Sequence, residues 1–331
     1  MNIAVLGGGS WGTTVASLTA RNAPTLLWAR NSDTVDEINT HHTNSRYLKE
    51  AKLYSDLQAR YTIEETVKNA DVVVMGIPSH SFRSVMEEAG QYIRPWVPIV
   101  SLTKGLEHGT KMRMTEVIES VMPGHPVGVL TVPNLAREII AGQAAASVIA
   151  MVDKRIGLEL QKIFSLGLFR VYTNNDVVGC ELGGALKNVI AIAAGMGDGA
   201  GAGDNTRAAV ITRGLAELTR LGVAMGGKRK TFSGLAGMGD LVATCNSPQS
   251  RNRTVGYALG QGRQLDEIIN SMNMVAEGVK SCKVVMELAQ EYGIEMPISH
   301  EVYRVCHEGS NVRQGFRGLL RTASGSEYDP G

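Results

Sequence analysis

The chain has 331 residues, 44% of them hydrophobic and 20% charged, enough for an ample apolar core and, by length, for two domains. A formal net charge of +1 and an aromatic content of 5% exclude the strong basic field and the base-stacking platforms of a nucleic-acid binder, and they give no general attraction to an anionic membrane. Cys180, Cys245, Cys282 and Cys306 stand far apart without metal-ligand spacing and read as reduced thiols of a cytoplasmic protein; neither a signal peptide nor an apolar run of membrane-spanning length is expected.

In chain order, residues 3–6 form a short apolar strand that runs into Gly7-Gly8-Gly9-Ser10-Trp11-Gly12. Gly7, Gly9 and Gly12 have the G-x-G-x-x-G spacing of a dinucleotide site. The first glycine makes the tight turn, the second lets backbone approach a pyrophosphate, and the third lets helix and strand pack closely. A helix over 13–22 would point its free N–H groups at that anion. The second strand, 25–28, ends in Ala29-Arg30-Asn31. An NAD site usually carries an acid there for the ribose hydroxyl. Arg30 suits a 2′-phosphate instead, so NADP(H) is favoured and NAD(H) stays possible. Taken by position alone, Arg30 also reads as a solvated strand-end charge.

Residues 41–60 read as a solvated excursion. Further strands are expected at 71–78, 98–103, 127–132, 146–152 and 169–173, alternating with helices. The fold class is therefore α/β: an N-terminal Rossmann-type, mainly parallel sheet over 1–175, followed by a C-terminal all-α domain over 176–322 and a short disordered tail over 323–331. Ligands of open parallel sheets sit at the carboxyl ends of the strands, which puts the glycine loop, Lys104 and Asn134 along one edge.

The all-α half opens on CELGGALKNVIAIAAGMGD, residues 180–198, an apolar helix with Lys187 in its middle and Asn188 beside it. Glu181, Gly184, Lys187 and Ala191 share one face. A desolvated lysine can serve acid/base chemistry, and one that snorkels or pairs with an acid is as good a reading of this stretch alone. Gly183 and Gly184 weaken a helix by about 1 kcal/mol each relative to Ala, a cost accepted where a backbone or ligand comes close. A glycine-rich break is expected at 195–203. Asn205 or Thr206 then caps a helix to Gly222, with Ile211, Leu215, Leu218 and Leu221 at helical spacing. Asp240 follows among small residues. Ser250-Arg251-Asn252-Arg253 at a helix start is a candidate phosphate clamp, or else an exposed charged cap.

Together these runs resemble one family, the bacterial-type NAD(P)-dependent glycerol-3-phosphate dehydrogenases, which reduce dihydroxyacetone phosphate. The resemblance rests on GGGSWGT, LWAR, SLTKGLE, PNLAREI, FRVYTNNDVVGCELGGALKNVIAIAAGMGDG, NTRAAVITRGLAE, GLAGMGDLVATC, SPQSRNR, VAEG and EMPI, in the family's order over nearly the whole chain. It implies that Lys187 is the proton donor or acceptor at the substrate C2 oxygen, that Lys104 touches cofactor and substrate, and that Asp240 is the acid beside the catalytic lysine. It further implies cofactor contacts from Ser10, Trp11, Arg30, Ala136, Arg251, Val275 and Glu277. Val132, Asn134, Asn188, Ser250, Arg251 and Asn252 would contact the phosphate-ester substrate. A cytoplasmic homodimer supplying glycerol 3-phosphate for phospholipid synthesis is also implied.

One position departs from the pattern: the family reads G-P-T or G-P-N before Ala-x-Glu, and Val132 stands at that glycine. If the backbone path is kept, a β-branched residue costs about 1–3 kcal/mol in an unfavourable backbone conformation and crowds the substrate. This motivates a rival from another class, a non-catalytic NADP(H) sensor that Val132→Gly would convert into an enzyme. A second rival, a β-hydroxyacid dehydrogenase, shares the two-domain plan but pairs its lysine with an asparagine three residues on, whereas Lys187 and Asn188 are adjacent.

Overall fold

A computed structural model describes residues 1–131, 135–272 and 276–315. The chain divides into two compact units, Met1–Val177 and Val178–Gly331.

The first unit holds one eight-stranded sheet: β1 (Ile3–Leu6), β2 (Thr25–Trp28), β3 (Gln58–Arg60), β4 (Val72–Met75), β5 (Ile99–Ser101), β6 (Val127–Thr131), β7 (Ala145–Met151) and β8 (Phe169–Asn174). Their order is β3-β2-β1-β4-β5-β6-β7-β8. The first six pair in parallel. β7 runs antiparallel to β6, and β8 follows β7 in parallel. The chain leaves β1 toward β2 on one side and returns to β4 on the other, the strand-order reversal at which doubly wound sheets bind ligands. β1 and β4 are buried at every position, as central parallel strands covered on both faces must be. Alternation divides them between two cores. Ile3, Val5, Val72 and Val74 face one cluster, and Ala4, Leu6, Val73 and Met75 the other.

Residues 41–60 are not a solvated excursion. They supply β3, and Leu48, Leu53, Leu57 and Ala59 are buried in the same cluster as Val5. Their apolar positions are split among elements of three or four residues, too short to show a period. The first helix also begins earlier than expected, spanning Ser10–Thr19 rather than 13–22, so the glycine loop runs directly into its first turn.

The second unit contains no strand among its described residues. Its axis is a 23-residue helix, Val177–Gly199. This helix is long and apolar enough to cross a membrane by length and composition, which the sequence reading did not expect. Its apolar window is 94% buried in protein, as a core helix is. The glycine-rich break expected at 195–203 is shorter, confined to residues 200–203 between two helices. Gly195 and Gly199 belong to the helix, where a Cβ on either would overlap the backbone of Arg253 or Tyr257 in the helix Arg251–Gly260. Gly256 and Gly260 return the contact, against the carbonyls of Ile192 and Met196. The two helices therefore meet backbone to backbone through glycines four residues apart on each. The next helix, Asp204–Ala224, turns a somewhat different face inward than the apolar spacing suggested. Val210, Gly214, Glu217, Leu218 and Leu221 are buried, while Ile211 and Leu215 are only half-buried.

Candidate active site

The glycine loop at the end of β1 has the shape its spacing predicts. Gly7 sits at φ 122°, a conformation open to glycine, and its N–H donates to the Trp28 carbonyl at 3.0 Å. A Cβ on Gly12 would overlap the Gly7 carbonyl, whereas one at Gly9 would meet nothing within 4 Å. Gly9 is the N-cap of the Ser10–Thr19 helix and no side chain caps it, leaving the first-turn N–H groups for an anion in that open space. These features fit a dinucleotide pyrophosphate. Asn44, fully buried in the stretch read as solvated, props the loop by donating from Nδ2 to the Gly8 carbonyl and to Thr13 Oγ1, both at 2.9 Å. Trp11 packs edge-on to Phe169 with ring centroids 6.2 Å apart, and its buried Nε1 has no hydrogen-bond partner among the described residues.

Arg30 lies two residues beyond β2, exposed, and no described hydrogen bond or ion pair engages it. Just after it, Asn31 caps the helix Ser32–His41 by accepting from the Thr34 N–H. Lys104 is half-buried three residues past β5. Its loop is tied to the end of β4 by Thr103 Oγ1, which donates to the Ile77 carbonyl at 2.6 Å. Ala136 is buried at the start of the helix Ala136–Ile140. Val132, Asn134 and Val275 lie outside the described residues, as does the tail over 323–331.

In the second unit the central helix delivers Lys187 to a buried polar cluster. Lys187 is 4% exposed and Asp240 1%. Nζ lies 3.3 Å from Asp240 Oδ1, donates to Thr244 Oγ1 at 2.6 Å and reaches Asn188 Oδ1 at 3.3 Å. Asp240 is presented by a π-helical turn, Leu235–Gly239, that leads into the helix Asp240–Asn246. A Cβ on Gly183 would overlap the Ala236 carbonyl of that turn, so Gly183 serves close packing inside its own unit.

The sequence reading missed Thr244. Its signal was present, because it stands four residues after Asp240 and so on the same helix face. The Thr244 hydroxyl donates to the Asp240 carbonyl at 2.6 Å, which spends its only hydrogen and turns a lone pair toward Lys187. Beneath the cluster, burial pushes the Cys245 thiol up to about 12 although the Lys187 charge pulls the other way, so Cys245 is an inert apolar neighbour.

The helix Arg251–Gly260 places the candidate phosphate residues. Ser250 is its N-cap, accepting from the Arg253 N–H at 3.2 Å, which leaves the hydroxyl hydrogen available. Asn252 is buried and its Oδ1 accepts from the Gly278 N–H at 2.9 Å, fastening the clamp to the start of the helix Glu277–Glu291. Gly278 is small enough to sit there: a Cβ would come within 2.7 Å of the Asn188 carbonyl oxygen and 2.9 Å of Asn252 Oδ1. Lys187's neighbour and the clamp thus meet at one point. The Arg251 side chain is exposed and lies within range of the opposite charge of Glu277. Arg253 does not join the clamp. Its guanidinium pairs with Asp198 at 2.7 Å, so the doubly basic run divides into one exposed arginine and one half-buried arginine tied to a carboxylate.

Two family models match, NAD-dependent glycerol-3-phosphate dehydrogenase N-terminus over residues 2–156 and C-terminus over residues 176–317. A glycerol-3-phosphate dehydrogenase [NAD(P)+] of Sphingopyxis alaskensis is 62% identical over 331 residues, covering 100% of this chain and 99% of that one. One of Mycobacterium avium is 57% identical over 326 residues, covering 98% and 96%. The crystal structure of glycerol-3-phosphate dehydrogenase from Coxiella burnetii superposes with a TM-score of 0.92 at 38% identity, over 97% of this chain and 98% of that one.

Proposed function

The chain belongs to the NAD-dependent glycerol-3-phosphate dehydrogenase family, and from that premise we infer that it interconverts dihydroxyacetone phosphate and sn-glycerol 3-phosphate with a pyridine nucleotide, supplying glycerol 3-phosphate for phospholipid synthesis. The observation that carries the reading is the buried Lys187–Asp240–Thr244 cluster, since hydride delivery to a ketone requires a proton for the oxygen left behind.

A bound nicotinamide would supply the hydride for C2. The glycine loop, Ser10 and Trp11 would hold its pyrophosphate side, with Ala136, Val275, Glu277 and Arg251 as further contacts. Lys187 protonates the C2 oxygen as negative charge develops there. Its Nζ is held by Thr244 Oγ1, Asp240 Oδ1 and Asn188 Oδ1, and with only three hydrogens it gives up one of these contacts to reach the C2 oxygen. Asp240 balances the ammonium and Lys104 adds positive charge near the same oxygen. Arg251, Asn252 and Ser250 hold the phosphate through a guanidinium, an amide and a hydroxyl at a helix start. Val132 and Asn134 complete the substrate contacts. Family resemblance supports a cytoplasmic homodimer, which sedimentation of the purified protein would test.

The deciding assay follows oxidation of NADPH, then NADH, with dihydroxyacetone phosphate as acceptor. Consumption of neither nucleotide would sink the reading. Arg30, exposed beside a helix start and engaged by no described partner, supports a preference for NADP(H). Arg30→Ala is expected to raise KM for NADPH about 10–100-fold, the worth of one charge-assisted hydrogen bond to phosphate, and to leave KM for NADH nearly unchanged. Parallel changes for both nucleotides would assign Arg30 to the surface.

A further inference from the structure

Asp198 is the penultimate residue of the Lys187 helix, where a carboxylate faces the negative end of the helix dipole. Its side chain is only 5% exposed, a costly place for a charge that is not paired. Two arginines share it. Oδ2 accepts from Arg253 Nη2 at 2.7 Å and Nε at 3.0 Å, and Oδ1 accepts from Arg207 Nε at 2.8 Å. Arg207 also reaches the exposed Asp204 at 3.0 Å. One buried carboxylate thereby ties together the helix of Lys187, the helix of Arg251 and the helix Asp204–Ala224.

The helix crossing gives this tie a task. Gly195 and Gly199 meet Gly256 and Gly260 in a seam of bare backbone, which sets how closely the two helices approach. Glycines fix the distance of approach, whereas directional polar contacts fix the rotation of one helix against the other. The polar key is Asp198 with Arg253, seconded by Asn252 on the Gly278 N–H. At 3.6 residues per turn, Arg251 lies about 200° around the helix from Arg253. The rotation that docks Arg253 on Asp198 is therefore the one that turns Arg251 outward.

We propose that Asp198 is a positioning residue for recognition of the substrate phosphate: through Arg253 it sets the rotation of the helix start bearing Arg251 and Asn252, and it keeps the second guanidinium off the phosphate. The inference rests on the proposed function and goes beyond it, because that function gives no role to Asp198, whose two oxygens are taken by Arg207 and Arg253. A carboxylate with a purely structural role would, when removed, harm all substrates alike. One that aims the clamp harms only those carrying phosphate.

The test compares dihydroxyacetone phosphate with unphosphorylated dihydroxyacetone, both with NADPH. For Asp198→Asn the expected result is a KM for dihydroxyacetone phosphate raised about 10–100-fold, the scale of a misplacement near 1 Å. Meanwhile kcat and kcat/KM for dihydroxyacetone stay within about threefold of wild type. Asp198→Glu, which keeps the charge one methylene further out, falls between. Asp198→Asn combined with Arg253→Gln is no worse than Asp198→Asn alone, since both remove one contact. Equal losses on the two ketones, additive losses in the double variant, or an unchanged KM for the phosphate ester overturn the proposal. Should Asp198→Asn fail to fold, Asp198→Glu is read by the same comparison of the two ketones. Wild-type protein inert toward dihydroxyacetone phosphate overturns the functional reading instead, so the two failures are distinguishable.

Discussion

Lys187→Met is expected to bind NADPH as the wild type does and to lose turnover by about 10²–10⁴-fold, the usual worth of a positioned proton donor. The two halves of that result report different parts of the molecule. The nucleotide loop lies in the first unit and Lys187 in the second, so the NADPH Kd reports an intact sheet domain. Turnover reports the cluster of Lys187, Asp240 and Thr244. The substitution also leaves the Asp240 carboxylate, 1% exposed, without its cation, and breaking a buried pair costs about 3–5 kcal/mol. A lowered melting temperature should therefore accompany the lost activity. A near-wild-type kcat would remove Lys187 from the chemistry, whatever the melting temperature did.

Glu217→Ala is expected to be the most damaging substitution away from the site. Glu217 is 1% exposed and sits on the inward face of the helix Asp204–Ala224. Its carboxylate accepts from the Ile298 N–H at 2.6 Å and from the Ser299 N–H and hydroxyl at 3.1 and 2.8 Å. It thus caps, from a distant part of the chain, the helix that opens with Pro297. Alanine would strand two buried N–H groups, at a cost of about 3 kcal/mol. For a unit of this size that lowers Tm by about 6–12 °C in a thermal melt. A shift under 2 °C, on the order of half a kcal/mol, would mean water replaces the carboxylate.

The same residue sets a pH dependence. Burial raises the Glu217 pKa above its ordinary 4.5, opposed by the donors of Ile298 and Ser299 and by the charge of Arg220. An acid whose folded pKa is raised binds its proton more tightly when folded. Its contribution to stability is therefore complete below 4.5 and is lost as pH rises through the higher folded value. Measured against Glu217→Gln, which cannot titrate, wild-type Tm should fall progressively on raising pH from 4.5. A difference that is flat, or that grows with pH, would reverse the assigned direction.

What the sequence by itself determined lies in features whose meaning is local. Gly7, Gly9 and Gly12 declare a turn because only their spacing and lack of side chains matter, and β1 and β4 announce themselves as unbroken apolar runs. The helix around Lys187 is legible from its length and composition, and the ordered motifs carried the family. The tertiary structure decided questions of partnership across space. Residues 41–60 looked solvated until β3 paired with β2 and Asn44 reached under the glycine loop. Arg251 and Arg253 are chemically identical in sequence. They part only because a helical turn sends one outward and the other onto Asp198. Thr244 and Glu217 were ordinary helix residues until Lys187 and the start of the Pro297–His307 helix were brought against them. A residue's period along an element gives the face it occupies, but which polar atom waits opposite that face depends on how helices and strands far apart in the chain are packed.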